Sequence, residues 1–343
     1  MTNKVIITGS TGLVGSHLTC HLLTMGYHVV GIKRAHSSMK LFDSVKNHYL
    51  NQETDVLKGL FGGEAVKLDL QKLQEGIDQR LSWATADIRD TDALVEAFSG
   101  EIDAVFHCAA MVSFKRKDRN AMMENNIQGT ANVVNTCIKL GITTLLHVSS
   151  VAALSRKAGS DLITADSEWE DSKYNTDYAK SKYYSELEAW RGKEEGLNVA
   201  VINPGIILGV GSGNTPQNQF IGIVNAGNPF VPIGGNGFVW VDDLCSQMIE
   251  MVDNAVFGKR ILGVTHNLKY TSLFNNVAKL AGKKAPSIRI EGWVFKLLFG
   301  LTSVFDFLRI PFPVSKDLVV STSTSCVYIA TQVDAALLTA APV

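Results

Sequence analysis

The stretch KVIITGSTGLVGS, residues 4–16, decides how the rest of the chain is read. Val5, Ile6 and Ile7 run without alternation into Gly9, and further glycines stand at Gly12 and Gly15. An unbroken apolar run that ends in a turn fits a strand buried on both faces. The G-x-x-G-x-x-G spacing is a variant of the G-x-G-x-x-G dinucleotide fingerprint. Glycine allows the sharp turn and lets backbone amides approach a pyrophosphate, and a helix beginning near Leu13 points its positive end at that charge. A plain strand-to-helix turn also uses glycine for steric reasons. Its place at the head of a series of strand–helix units favours the nucleotide reading, with Gly9, Thr11, Gly12, Leu13, Val14 and Gly15 as the expected contacts.

Working outward, short apolar runs alternate with helical patterns. KVIIT, YHVVGI, LSWATADI, AVFHCAA, TLLHVSS and NVAVINP read as buried strands, and LTCHLLTMG, RDTDALVEAFSG and NNIQGTANVVNTCIKLG as helices. Repeated units of this kind predict a parallel sheet covered on both faces. Between Lys33 and Leu81 the spacing exceeds one crossover, which predicts an extra helix around MKLFDSVKNHYL and an irregular insertion within 37–80. After Pro204, glycine and proline cluster in loops, and FVWVDDLCSQMIEMV reads as a strand entering a helix. The expected division is a nucleotide-binding body over residues 1–205 and a smaller lobe over 206–343, interleaved where 236–260 packs back on the body.

The bulk numbers bound the function. The 343 residues are 46% hydrophobic and 19% charged with a formal net charge of −1, which suits a globular enzyme and advertises neither nucleic acid nor an anionic membrane as partner. Five scattered cysteines without a CxxC pair argue against a disulfide framework or a zinc site and fit a reducing cytoplasm. The opening MTNKVIITG lacks a signal-peptide pattern, so a cytoplasmic location is expected. No apolar run reaches membrane-spanning length; the nearest, VFKLLFGLTSVFDFLRI, is broken by Lys296, Asp306 and Arg309. The apolar 293–312 segment reads as a lid, as a helix packed on the core or as a membrane-surface contact, the last without an evident charged face.

Three further patterns carry chemistry. At the end of the second strand, where an NAD site places Asp or Glu, the run VVGIKRAHSS holds Lys33, Arg34, Ser37 and Ser38. Two cations and two hydroxyls suit a 2′-phosphate, which predicts NADP(H) in preference to NAD(H); two solvated basic residues are the bland alternative. Tyr178 and Lys182, in DYAKSKYYSE, lie four positions apart on one helical face. A free phenol titrates near pH 10. An ammonium nearby and the positive nicotinamide ring of a bound cofactor would lower that value, so Tyr178 could exchange a proton with a carbonyl oxygen as hydride moves. Ser149 and Ser150 close the strand TLLHVSS, with Ser150 expected to orient the substrate oxygen and Ser149 to lie nearer the cofactor. Asp87 reads either as an adenine contact or as a helix-terminal carboxylate, a role better suited to Asp90 or Asp92. His107 and His147 read as satisfied core histidines, and Asp242 and Asp243 as capping residues.

With TGSTGLVGS, ADIRD, HCAAMVSF, HVSSVAAL, YAKSK, NPGIILGVG and FVWVDDL in hand, the chain resembles an extended short-chain dehydrogenase/reductase over roughly its first two thirds. The resemblance implies a Rossmann-type doubly wound α/β fold with a smaller C-terminal substrate-binding lobe. It implies catalysis by Ser150, Tyr178 and Lys182, with Ala109, Ala110 and Met111 along the cofactor and Asp87 and Ile88 at the adenine. Asn203, Pro204, Gly205 and Ile206 would pass near the nicotinamide. VVGIKR and SSVAAL are similar to the dihydroflavonol reductase-like branch, which implies NADPH-dependent reduction of a ketone or aldehyde and a small carbonyl or alcohol substrate. Homodimers are common in that family. A sugar-nucleotide dehydratase is rejected because Ser150, Val151 and Ala152 stand where its acid/base residues would be. An NDP-sugar epimerase is the first alternative, disfavoured by the missing acid near Lys33, and a non-catalytic cofactor-sensing protein is the second.

Overall fold

The computed structural model describes residues 3–53, 66–154, 162–172, 175–211, 216–290, 294 and 326–329. A seven-stranded parallel sheet forms its centre. In chain order the strands are β1 (Lys4–Thr8), β2 (His28–Lys33), β3 (Leu81–Thr85), β4 (Ala104–His107), β5 (Thr144–Val148), β6 (Asn198–Pro204) and β7 (Arg260–Gly263). Their spatial order is β7-β6-β5-β4-β1-β2-β3, which reverses direction between β1 and β4. Such a reversal opens a crevice at the carboxyl ends of the two strands.

Side chains of β1 alternate between faces as the pleat requires. Val5 and Ile7 enter one core with Leu18, Leu22, Val45 and Leu244, while Ile6 enters the other with Leu94, Val133 and Val134. The first face is covered by α1 (Leu13–Thr24), α2 (Lys40–Leu50) and α3 (Leu70–Gln79). The second carries α4 (Thr91–Ala97), α5 (Arg119–Leu140, opened by a π-helical turn over Glu124–Gln128) and α6 (Asp177–Glu194). Caps follow from local sequence: Asp90 accepts the Ala93 amide at 3.0 Å and Thr176 accepts the Ala179 amide at 3.0 Å.

A second, smaller sheet has its own core. Strands Ile206–Leu208, Gly235–Trp240 and His266–Lys269 form a three-stranded sheet, packed by α7 (Pro216–Asn225) and α9 (Tyr270–Ala281). Between them α8 (Val241–Asp253) returns to the first core, and β7 adds the outer strand of the main sheet. This last strand, RILG, has no periodic signal in the sequence, and FVWV lies in the small sheet instead. Helix α2 matches the expected extra helix, whereas residues 54–65 of that insertion lie outside the described residues. The apolar 293–312 stretch does so too, apart from Val294. Among the described residues, no helix is long and apolar enough to cross a membrane.

Asp242 does not cap α8 with its side chain. The cap position is Trp240, with no side-chain cap bond, and the Asp242 carboxylate turns inward to Tyr49 and to His21 Nε2 at 3.1 Å. His17 Nδ1 stands 2.5 Å from the Tyr49 hydroxyl, so the cluster ties α1, α2 and α8 together. Burial alone would raise the Asp242 pKa, but the His17 and His21 imidazoles outweigh it and hold the carboxyl well below its usual range. Replacing a buried, charged hydrogen-bond partner leaves the others unsatisfied, so Asp242→Ala is expected to lose about 2–3 kcal/mol of stability at neutral pH. A depressed carboxyl contributes fully above its unfolded value of about 4 and loses its contribution as pH falls below that. Urea unfolding should therefore show a gap between wild type and variant that is wide at pH 7 and narrows below about pH 4; a gap independent of pH would contradict this account.

Candidate active site

The crevice between β1 and β4 opens into a cleft of about 720 Å³. Twelve residues expected from the sequence line it: Gly9, Thr11, Gly12, Lys33, Arg34, Ser37, Ser38, Asp87, Ile88, Ala109, Ala110 and Met111. The glycines are required by packing. Gly9 has φ +70°, and a Cβ there would meet the Ala109 backbone at 2.8 Å. A Cβ on Gly15 would sit 2.3 Å from the Gly9 carbonyl oxygen. Gly12 caps α1 without a side-chain bond, so no side chain competes for the amides of Leu13, Val14 and Gly15.

The end of β2 is basic. Arg34 is exposed, and Lys33 Nζ lies 5.8 Å from the centre of the Trp83 ring. Ser37 folds back to accept the Arg34 amide at 3.0 Å, closing a turn that also brings His36, Ser38 and Lys40 to the cleft. His36 and Lys40 were not singled out by the sequence reading, because only this turn brings them beside Arg34. Asp87 lines the cleft, but its carboxylate is held by Arg89 through Nε at 3.1 Å and a second guanidinium nitrogen at 2.9 Å. The Arg89 hydrogen bonds keep the Asp87 pKa below its ordinary value.

The cleft lining stops short of Ser150, Tyr178 and Lys182, which lie where α6 packs against the carboxyl end of β5 and which Asn126 links to the cleft wall by binding Met111 and Ser181. Tyr178 is half-buried in the first turn of α6, with the Phe114 ring edge-on at 6.0 Å. Ser150 accepts the Ala152 amide at 3.1 Å and lies beside Tyr178. Lys182, one turn on, is 2% exposed and donates to the Val148 carbonyl at 2.8 Å. Burial lowers its pKa to about 8, against the opposing pull of Glu186 and Cys108. The expectation for Tyr178 is corrected: loss of water raises its pKa, and the opposing influence is the Ser150 hydrogen bond, not Lys182.

Other expected residues serve from beneath. The Ser149 hydroxyl donates to the Glu186 carboxylate at 2.5 Å. Asn203 is fully buried and donates to the Ser150 carbonyl at 2.9 Å and to Glu186 at 2.8 Å. Pro204 is buried and Gly205 and Ile206 are half-buried where the chain passes to the small sheet; a Cβ on Gly205 would meet the Gly237 carbonyl oxygen at 2.3 Å. His107 is satisfied by Thr8 at 2.7 Å and Thr130 at 3.0 Å, and burial drops its pKa to about 3. His147 departs from expectation: neither ring nitrogen has a partner among the described residues.

Two supporting residues were missed. Asn126, in the π turn, accepts the Met111 amide at 2.7 Å and donates to the Met111 carbonyl and to Ser181, joining the cleft wall to α6. π turns recur at functional sites, but hydrophobic period does not reveal them. Glu186 sits two turns past Tyr178, and the stripe Tyr178, Lys182, Glu186 at every fourth position was the available signal.

A doubly wound sheet with a glycine turn, a cleft at its switch point and a Ser–Tyr–Lys set beside it defines the class of nucleotide-binding α/β proteins of the short-chain type. The chain belongs to the NAD dependent epimerase/dehydratase family, whose model matches residues 5–262. It is 30% identical over 211 residues to a putative dihydroflavonol 4-reductase of Synechocystis, covering 61% of this chain and 50% of that protein. The chain spans about half the length of the first such relatives it matches. It is 24% identical to sterol demethylase protein B of Methylococcus capsulatus, covering 89% of this chain and 81% of that one. UDP-glucose 4-epimerase of Thermotoga maritima shares the fold with a TM-score of 0.67 at 15% identity, over 96% of this chain and 90% of that one.

Gly15→Ala tests the turn directly. The added Cβ must displace the Gly9 carbonyl, so nucleotide affinity by calorimetry is expected to fall by about tenfold or more with the circular dichroism spectrum retained. Unchanged affinity would contradict the assignment of this turn.

Proposed function

We propose that this protein is an NADPH-dependent reductase of a ketone or aldehyde. The observation that carries the reading is the placement of Tyr178 beside Ser150, one turn before a buried Lys182 on α6, with Asn126 tying Met111 of the cleft wall to Ser181 on the same helix. The names of relatives support the direction, a putative dihydroflavonol 4-reductase and the anthocyanidin reductase of Arabidopsis among them.

The residues present fit a dinucleotide. Gly9, Gly12 and the first-turn amides of α1 would hold the pyrophosphate, and Lys33, Arg34, His36, Ser37 and Lys40 the 2′-phosphate. When bound, the dinucleotide supplies the hydride. Ser150 receives the Ala152 amide on its oxygen, which leaves its own proton for donation. A carbonyl oxygen set between Ser150 and Tyr178 takes hydrogen bonds from both. Tyr178 gives up its proton to that oxygen. Its raised pKa keeps the phenol protonated, the form a reduction needs. Lys182, oriented by the Val148 carbonyl one turn on from Tyr178, would hold the ribose hydroxyls of the dinucleotide with its remaining N–H groups. An epimerase reading is less well supported, because no acid stands at the end of β2 to hold the ribose hydroxyls of NAD.

Tyr178→Phe is expected to cut NADPH oxidation by about a hundred- to ten-thousand-fold across an aldehyde and ketone panel while sparing cofactor binding. A near wild-type rate would overturn the mechanism. Calorimetry should find NADPH bound more tightly than NADH, and Arg34→Ser should erode that preference by about tenfold. Equal affinity for the two nucleotides in the wild-type protein would defeat the NADP assignment.

A further inference from the structure

Beneath the Ser–Tyr–Lys set lies a second polar cluster that this chemistry does not use. Glu186 is 1% exposed, and its carboxylate gathers five donors. One oxygen accepts from Ser149 at 2.5 Å and Asn203 at 2.8 Å. The other accepts from Trp190 at 3.1 Å and from two guanidinium nitrogens of Arg260, at 2.7 and 2.5 Å. Arg260 is fixed in turn by donation to the Ala165 carbonyl at 2.8 Å. The cluster joins α6 to the end of β5, to β6 and to β7. Two of its members act directly on the site, since Ser149 precedes Ser150 in the chain and Asn203 holds the Ser150 carbonyl.

Lys182 sits one turn from this carboxylate. The other ionisable groups that act on it or are acted on by it are His107 and Cys108 at the end of β4 and His147 on β5. Burial keeps both imidazoles and the thiol neutral near pH 7. Glu186 is therefore the anion facing the Lys182 ammonium among the described residues. Tyr178, a turn earlier on the same helix, is a neutral phenol.

We propose that Glu186 is a positioning residue for the reaction, supplying the counter-charge that keeps Lys182 an ammonium and seating the Ser149–Ser150 strand end, with Arg260 setting its orientation and moderating its charge. The proposal rests on the reading of Ser150, Tyr178 and Lys182 as the catalytic set. It goes beyond that reading in assigning control of the Lys182 charge to a pair outside the cleft.

The test reads Lys182 itself and needs no substrate. Protein labelled with 13C at the lysine side chains is titrated by NMR, with the Lys182 signal assigned by its loss in Lys182→Arg. Wild type is expected to titrate near pH 8. Glu186→Gln removes the anion and should lower that midpoint by about one pH unit. Arg260→Gln leaves the anion unopposed and should raise it. A purely structural cluster would weaken folding in both variants without moving the midpoint in opposite directions. An unmoved midpoint, or shifts of the same sign, would overturn the proposal. Should Glu186→Gln fail to fold, the Arg260→Gln shift decides alone, upward in favour and absent or downward against. The titration can fail while Tyr178→Phe still abolishes reduction, so the two readings fall separately.

Discussion

A lysine ammonium with 2% exposure beneath the ends of β4 and β5 is the constraint on which this site depends. Burying such a charge costs several kcal/mol unless it is paired and hydrogen-bonded. The chain meets that cost with the Val148 carbonyl and with Glu186 a turn away. The bond of Lys182 to Val148, and those of Glu186 to Ser149 and Asn203, hold α6 close against the strand ends, and that closeness brings Tyr178 to Ser150. The geometry of the hydroxyl pair is thus a consequence of how the charge below it is accommodated. Asn126 extends the same rigidity to the cleft wall by holding Met111 and Ser181 together.

The fold was readable where local signals decide structure. The glycine turn is set by sterics within seven residues, and the apolar runs of β1, β2, β4, β5 and β6 are long enough to declare themselves. The RILG strand was not, because four residues of mixed character carry no period and are recruited by the exposed edge of β6. Asp242 shows the opposite failure. An acid in the first turn of a helix looks the same whether it caps or turns inward, and only the arrival of His17, His21 and Tyr49 from distant segments settles the matter.

The site divided along the same line. Cleft residues on the glycine turn and at the end of β2 could be named from spacing, since a parallel sheet delivers its carboxyl ends to one side, whereas Ile88, Ala109, Ala110 and Met111 were named through the family resemblance. Residues that act through others could not. Glu186 and Arg260 are 74 positions apart, and no spacing rule joins them. The direction of the Tyr178 shift was also misjudged from pattern, because an ammonium four residues away was counted while the loss of water around the phenol was not. Ser150, and not Lys182, opposes that effect of burial.

The central claim is that Tyr178, Ser150 and Lys182 face the reactive end of a dinucleotide whose phosphates lie on the glycine turn. A crystal structure with NADP+ bound tests it most directly. The account predicts the nicotinamide beside the Tyr178 hydroxyl, the pyrophosphate against Gly9 and Gly12, and the 2′-phosphate among Arg34, His36 and Lys40. A nicotinamide held away from Tyr178 and Lys182 would contradict it.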